Sequence, residues 1–70
     1  MARIYATDYR TPDGGIVYKR HPSREAAVRN AIAISKATPE AVYVLAQHDD
    51  YQIGERVYSA GALVREDGKF

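Results

Sequence analysis

Seventy residues, 46% of them hydrophobic, allow one domain spanning 1–70 and no second core. Ten basic residues against nine acidic ones give a formal net charge of +1, which argues against a protein held to duplex DNA mainly by counterion release but leaves room for a local basic patch. The lack of cysteine removes disulfides and the usual zinc ligands, and no apolar run approaches the roughly 20 residues that cross a bilayer.

Residues 2–10 alternate and are rich in strand formers, so they read as a first strand. Thr11-Pro12-Asp13-Gly14-Gly15 is turn chemistry: proline presets φ and glycine takes positive φ cheaply. Residues 16–21 return as a second strand, closing an N-terminal hairpin. Pro22-Ser23 marks the next boundary, with Ser23 as N-cap and Glu25 favourably placed against the helix dipole. From 24 to about 37 the spacing is helical. Ala27, Val28, Ala31, Ile34 and Ser35 share one side, Ile32 lies at its margin, and Arg29, Ala33 and Lys36 point away. Thr38-Pro39 stops the helix, because proline disfavours helical geometry in the residue before it.

Residues 41–47 form the clearest strand, followed by a His48-Asp49-Asp50 turn. Residues 51–59 and 62–66 read either as two strands broken at Ala60-Gly61 or as one strand with a bulge and a tail. Gly54-Glu55 is a competing turn, and Asp67-Gly68-Lys69-Phe70 resembles a turn without a return strand. The expected fold is α+β: a two-layer sandwich, an antiparallel sheet of four to five strands with one helix on one face, in the order β-β-α-β-β with a fifth strand optional. Much of the apolar content is alanine, so the core is one thin layer, and self-association or a partner is expected to support it.

One pattern recurs. A β-branched residue precedes tyrosine in Ile4-Tyr5, Val17-Tyr18, Val42-Tyr43 and Val57-Tyr58. Neighbours on a strand point to opposite faces. If each aliphatic residue faces the helix, Tyr5, Tyr18, Tyr43 and Tyr58 emerge together on the reverse face, joined by Tyr9. Arg3 and Thr7 share the row of Tyr5, while Lys19 and His21 fall on the side of Val17. Tyrosine is also simply a good strand former whose hydroxyl stays wet. Set on an uncovered sheet face, however, rigid amphipathic rings make a contact surface of low entropic cost, and tyrosine and arginine are enriched at interfaces.

The expected function is therefore that of a non-enzymatic protein-binding module, with Tyr5, Tyr9, Tyr18, Tyr43, Tyr58, Arg3, Arg10 and Arg20 as its binding residues. A protein partner is expected, and a homodimer is compatible with the thin core. The alternative is single-strand nucleic-acid binding, with the rings stacking bases and arginine and lysine meeting phosphate. The balanced charge and the lack of an RNP signature rank it second. His48-Asp49-Asp50 reads as a solvated turn, Ser23 as a cap, and Gly14-Gly15 as a turn without P-loop spacing. No catalytic residue, metal or cofactor is expected, and a start without a signal-peptide apolar stretch points to the cytoplasm and no membrane.

In size and element order the chain resembles small orphan proteins of phages and mobile elements, a group that includes inhibitors of CRISPR and other defence systems. The resemblance rests on length and layout. It implies a compact protein that blocks a larger macromolecular machine, and it transfers no functional residue.

Overall fold

A computed structural model describes residues 3–49 and 51–70. Strands β1 (Arg3–Arg10) and β2 (Ile16–His21) pair antiparallel without interruption from Tyr5↔His21 to Arg10↔Ile16. Their loop is closed by Gly14 N–H donating to Thr11 O (3.0 Å) and Thr11 N–H donating to Gly15 O (2.9 Å). Gly14 sits at φ +91°, the left-handed position that a three-residue hairpin loop requires of its last residue. The Asp13 carboxylate accepts from the Thr11 hydroxyl and from Gly15 N–H, and the Thr11 bond above all holds its pKa below the usual carboxylate value.

Helix α1 (Arg24–Ala37) begins where Ser23 Oγ accepts from Ala26 N–H at 3.1 Å, with Glu25 in its first turn and Lys36 in its last. It ends at Thr38, whose N–H returns to Ile34 O at 3.1 Å. Strands β3 (Val42–His48), β4 (Tyr51–Ser59) and β5 (Ala62–Gly68) complete an antiparallel five-stranded sheet in the order β2-β1-β3-β4-β5. The last two strands meet at a two-residue turn, Ala60 (φ 53°) and Gly61 (φ 82°), the geometry that suits a tight hairpin. Gly61 N–H donates to Ser35 Oγ (2.8 Å), whose hydroxyl donates to Ile32 O (2.9 Å), so this hairpin tip is tied to the helix. Of the two readings of the C-terminal third, separate strands broken at Ala60-Gly61 is the observed one. Gly54 lies within β4 rather than at a turn. The expected first strand included Ala2, and the expected β3 turn Asp50; both lie outside the described residues. Among the described residues no helix is long and apolar enough to cross a membrane.

The helix is the small side of the interface. Ala27 and Ala31 lie buried against Val42 and Val44, so the backbone approaches the sheet closely at its centre. The flanks need larger groups, and tyrosines supply them: Tyr58 is only 3% exposed, while Tyr5 and Tyr9 are half-buried against the same cluster. The register agrees, since Tyr5 faces Ala46, Tyr9 faces Val42, and Val42 faces Tyr58 across the neighbouring strand. Directly paired residues share a face. Tyr5, Tyr9 and Tyr58 are therefore core residues on the helix side, which corrects the expectation that every aliphatic partner of a tyrosine turns inward. Side chains alternate along β1 as the sequence predicts, but β1, and β4 at Val57-Tyr58, are turned over relative to that expectation.

The remaining gap on that side is closed by the chain itself. Gly68 at φ +68° turns the backbone after β5, and Lys69 N–H donates to Ile53 O at 2.7 Å. Phe70 then lies edge-on to Tyr5 (centroids 5.7 Å apart), with the guanidinium groups of Arg24 and Arg56 4.9 and 4.7 Å from its ring centre. Arg3, at 3.3–3.4 Å, donates to the main-chain oxygens of Lys69 and Phe70. Gly54 makes the crossing possible: a Cβ there would come within 2.4 Å of Phe70 N.

A short polar chain crosses the two layers on β1. Thr7, fully buried, donates from its hydroxyl to Asn30 Oδ1 of the helix at 3.2 Å. With that proton committed, Thr7 Oγ accepts from His21 Nε2–H at 3.0 Å. Partial burial, and then the nearby Lys19 charge, lower the His21 pKa from its ordinary value of 6.5.

Candidate functional site

Among the described residues, no helix lies over the other face of the sheet. In the register, β2 places Ile16, Tyr18 and Arg20 there, β1 places Ile4, Ala6, Asp8 and Arg10, and β3 places Tyr43, Leu45 and Gln47. Among the apolar side chains that these three strands place there, the most open to solvent are Ile16 (68%), Tyr18 (46%) and Tyr43 (36%).

One cross-strand row organises the surface. Asp8 is paired with Tyr18 on one side and with Tyr43 on the other, and the row continues through Val57 to Arg65. Directly opposed Cβ atoms in such a sheet are about 4.5–5.5 Å apart. A carboxylate thus stands between two tyrosines, and among the described residues it has no hydrogen-bond or ion-pair partner of its own. A shallow depression of about 310 Å³ opens beside it, lined by Asp8, Arg10, Ile16, Glu40 and Tyr43.

Of these two tyrosines, Tyr18 is held in place. The Tyr18 hydroxyl donates to Gln47 Oε1 at 2.8 Å, reaching over β1 from the edge strand to β3. Ala6 lies on β1 between these positions and is fully buried although no helix covers it. Val57, opposed to Tyr43 and Arg65, is similarly shielded at 7% exposure. The far margin is charge-paired, with Arg65 meeting Glu55 (2.7 Å) and Asp67 (3.0 Å).

Of the residues expected to form the surface, Tyr18, Tyr43, Arg10 and Arg20 share the uncovered face. Tyr5, Tyr9 and Tyr58 do not, because they fill the space beside an alanine-lined helix. Arg3 is on the helix side as well, holding the last two residues. Arg56, on that side too, donates to Glu66 (2.6 Å) and to the Tyr58 hydroxyl (3.1 Å). Burial works against its charge, but these bonds outweigh it and raise its pKa. The sequence reading missed Asp8, Ile16 and Glu40 as neighbours of the tyrosines. The even spacing of Asp8 from Ala6 and Arg10 was the available signal, and it needed the orientation of β1 to be used.

His48 lies 3.8 Å from Asp49, both well exposed, and Asp50 lies outside the described residues. Among the described residues no three histidine or carboxylate side chains gather so as to hold a metal ion. The chain matches no protein-family model, no curated protein and no solved structure.

Proposed function

We propose that this protein is a non-enzymatic binding module that docks on another protein through its helix-free sheet face. The observation that carries the reading is the row Tyr18–Asp8–Tyr43, with Ile16 and Leu45 beside it. Flat rings that are already hydrogen-bonded or packed lose little entropy on binding, so their area converts efficiently into affinity. The lone carboxylate between them favours a partner that presents an arginine or lysine, which would meet Asp8 as an ion and the tyrosines as ring faces. A larger macromolecular machine could be inhibited by such docking alone, with no chemistry.

Single-strand nucleic acid is the second reading, favoured by Arg10 and Arg20 flanking Tyr18 and Tyr43. A phosphate chain following the rings would meet Asp8 and Glu40, which ranks it lower. The test is capture of a partner from host lysate by the immobilised protein and by its Tyr43→Ala and Asp8→Asn variants. A protein retained by the parent and lost by folded variants, with weak dependence on salt, supports the proposal. Retention of single-stranded RNA or DNA that falls steeply with salt would replace it with the second reading.

A further inference from the structure

The two edges of the sheet are built differently. Edge strand β5 carries a register shift opposite Val57/Tyr58, and its second half bears the charges Arg65, Glu66 and Asp67, features that work against pairing with another strand. Edge strand β2 pairs with β1 through an unbroken register and has no bulge. Its first half, Ile16-Val17-Tyr18, carries no charge, and Ile16 is 68% exposed.

The hydrogen bonds of the hairpin loop also fix which amides of β2 are free. Thr11 N–H bonds Gly15 O, so Thr11 and Gly15 are a hydrogen-bonded pair. The antiparallel ladder then alternates: Arg10↔Ile16 is a non-bonded pair, Tyr9↔Val17 a bonded one, and so on along the strand. Ile16, Tyr18 and Arg20 consequently direct their main-chain N–H and C=O groups away from β1, into the open edge.

From this we infer that β2 is a self-pairing edge, through which two copies of the chain join antiparallel into one continuous sheet. A two-fold axis perpendicular to the sheet keeps the helices of both copies on one side and requires residues of the same face to oppose one another. With Val17 on the axis, Ile16 of each copy exchanges main-chain bonds with Tyr18 of the other, and the two Val17 side chains meet on the helix side. Charge favours this register over one centred on Lys19. Lys19 and Arg20 run past the centre and lie alongside the partner copy's Thr11–Gly15 loop, where Asp13 remains ionised. Moving the axis to Lys19 would instead set like charges directly opposite. The pairing uses Val17 and backbone groups, so it stands apart from docking at Tyr43 and Asp8.

Sedimentation equilibrium on the full chain tests it. The parent is expected to rise with concentration from 7.8 kDa toward twice that mass. Val17→Lys and Val17→Glu, each checked for native circular dichroism, should stay at 7.8 kDa alone, because like charges then face each other on the axis. An equimolar mixture of the two should restore association, and Tyr43→Ala should associate like the parent. A parent that stays at 7.8 kDa throughout, single variants that associate as it does, or a mixture that fails to recover each overturns the inference.

Discussion

The Tyr18 hydroxyl donates a 2.8 Å hydrogen bond to the side-chain carbonyl of Gln47, two strands away across β1. That bond lays a rigid ring across the uncovered face and explains why Ala6, on the strand beneath, is fully buried with no helix above it. Tyr18→Phe keeps the ring and loses the bond, so a loss of about 0.5–1 kcal/mol in unfolding free energy is expected from urea titration. Tyr18→Ala removes the ring as well and should speed hydrogen exchange in β1 around Ala6.

Gly54 and the crossing of residues 69–70 form one unit. A methyl group on Gly54 would meet Phe70 N at 2.4 Å and Lys69 C at 2.6 Å, both of them backbone atoms that cannot swing aside as a side chain can. Gly54→Ala should therefore displace the crossing and cost about 1–3 kcal/mol. Rapid exchange of the Lys69 amide, now bonded to Ile53 O, would report the displacement. Phe70→Ala should cost about 2 kcal/mol, combining lost burial with the loss of ring contacts to Arg24 and Arg56. An exchange rate at Lys69 unchanged by Gly54→Ala would contradict the coupling.

His21 makes stability depend on pH with a definite sign. Its folded-state pKa lies below 6.5, so between the unfolded and folded values the unfolded chain binds the proton first. Its contribution is complete above pH 6.5 and is lost as pH falls through that window. Melting temperature should decline on acidification from neutral pH, and His21→Gln should flatten that part of the profile. A midpoint that rises between pH 7 and the acid side, roughly pH 5, would reverse the assignment.

Local structure was legible in the sequence because the responsible residues act locally. The loop at Thr11–Gly15, the Ser23 cap, the stop at Thr38 and the alternation of β1, β2 and β3 each follow from a few adjacent side chains. What the local pattern does not encode is which side of a strand turns toward the helix. In Val17-Tyr18 and Val42-Tyr43 the aliphatic residue faces the helix side, as expected, but in Ile4-Tyr5 and Val57-Tyr58 the tyrosine does. The deciding quantity is volume summed across layers. Ala27 and Ala31 leave space beside Val42 and Val44 that valine or isoleucine would underfill and tyrosine fills, with the Tyr58 hydroxyl satisfied by Arg56. Phe70 was unreadable for a similar reason, since its place depends on Gly54, Gly68 and Tyr5 together. Tyr18, Tyr43, Arg10 and Arg20 remain on the uncovered face after this sorting, and Asp8 lies among them.

The most direct measurement compares two tyrosine variants for stability and for partner binding. Tyr43→Ala removes a ring that is 36% exposed, and it should cost about 1 kcal/mol of unfolding free energy and leave the domain folded while abolishing capture of the protein partner. Tyr58→Ala empties the core and should cost about 3–4 kcal/mol, enough to leave much of so small a domain unfolded. A folded Tyr43→Ala protein that still holds its partner at the parent's affinity would contradict docking through the helix-free face.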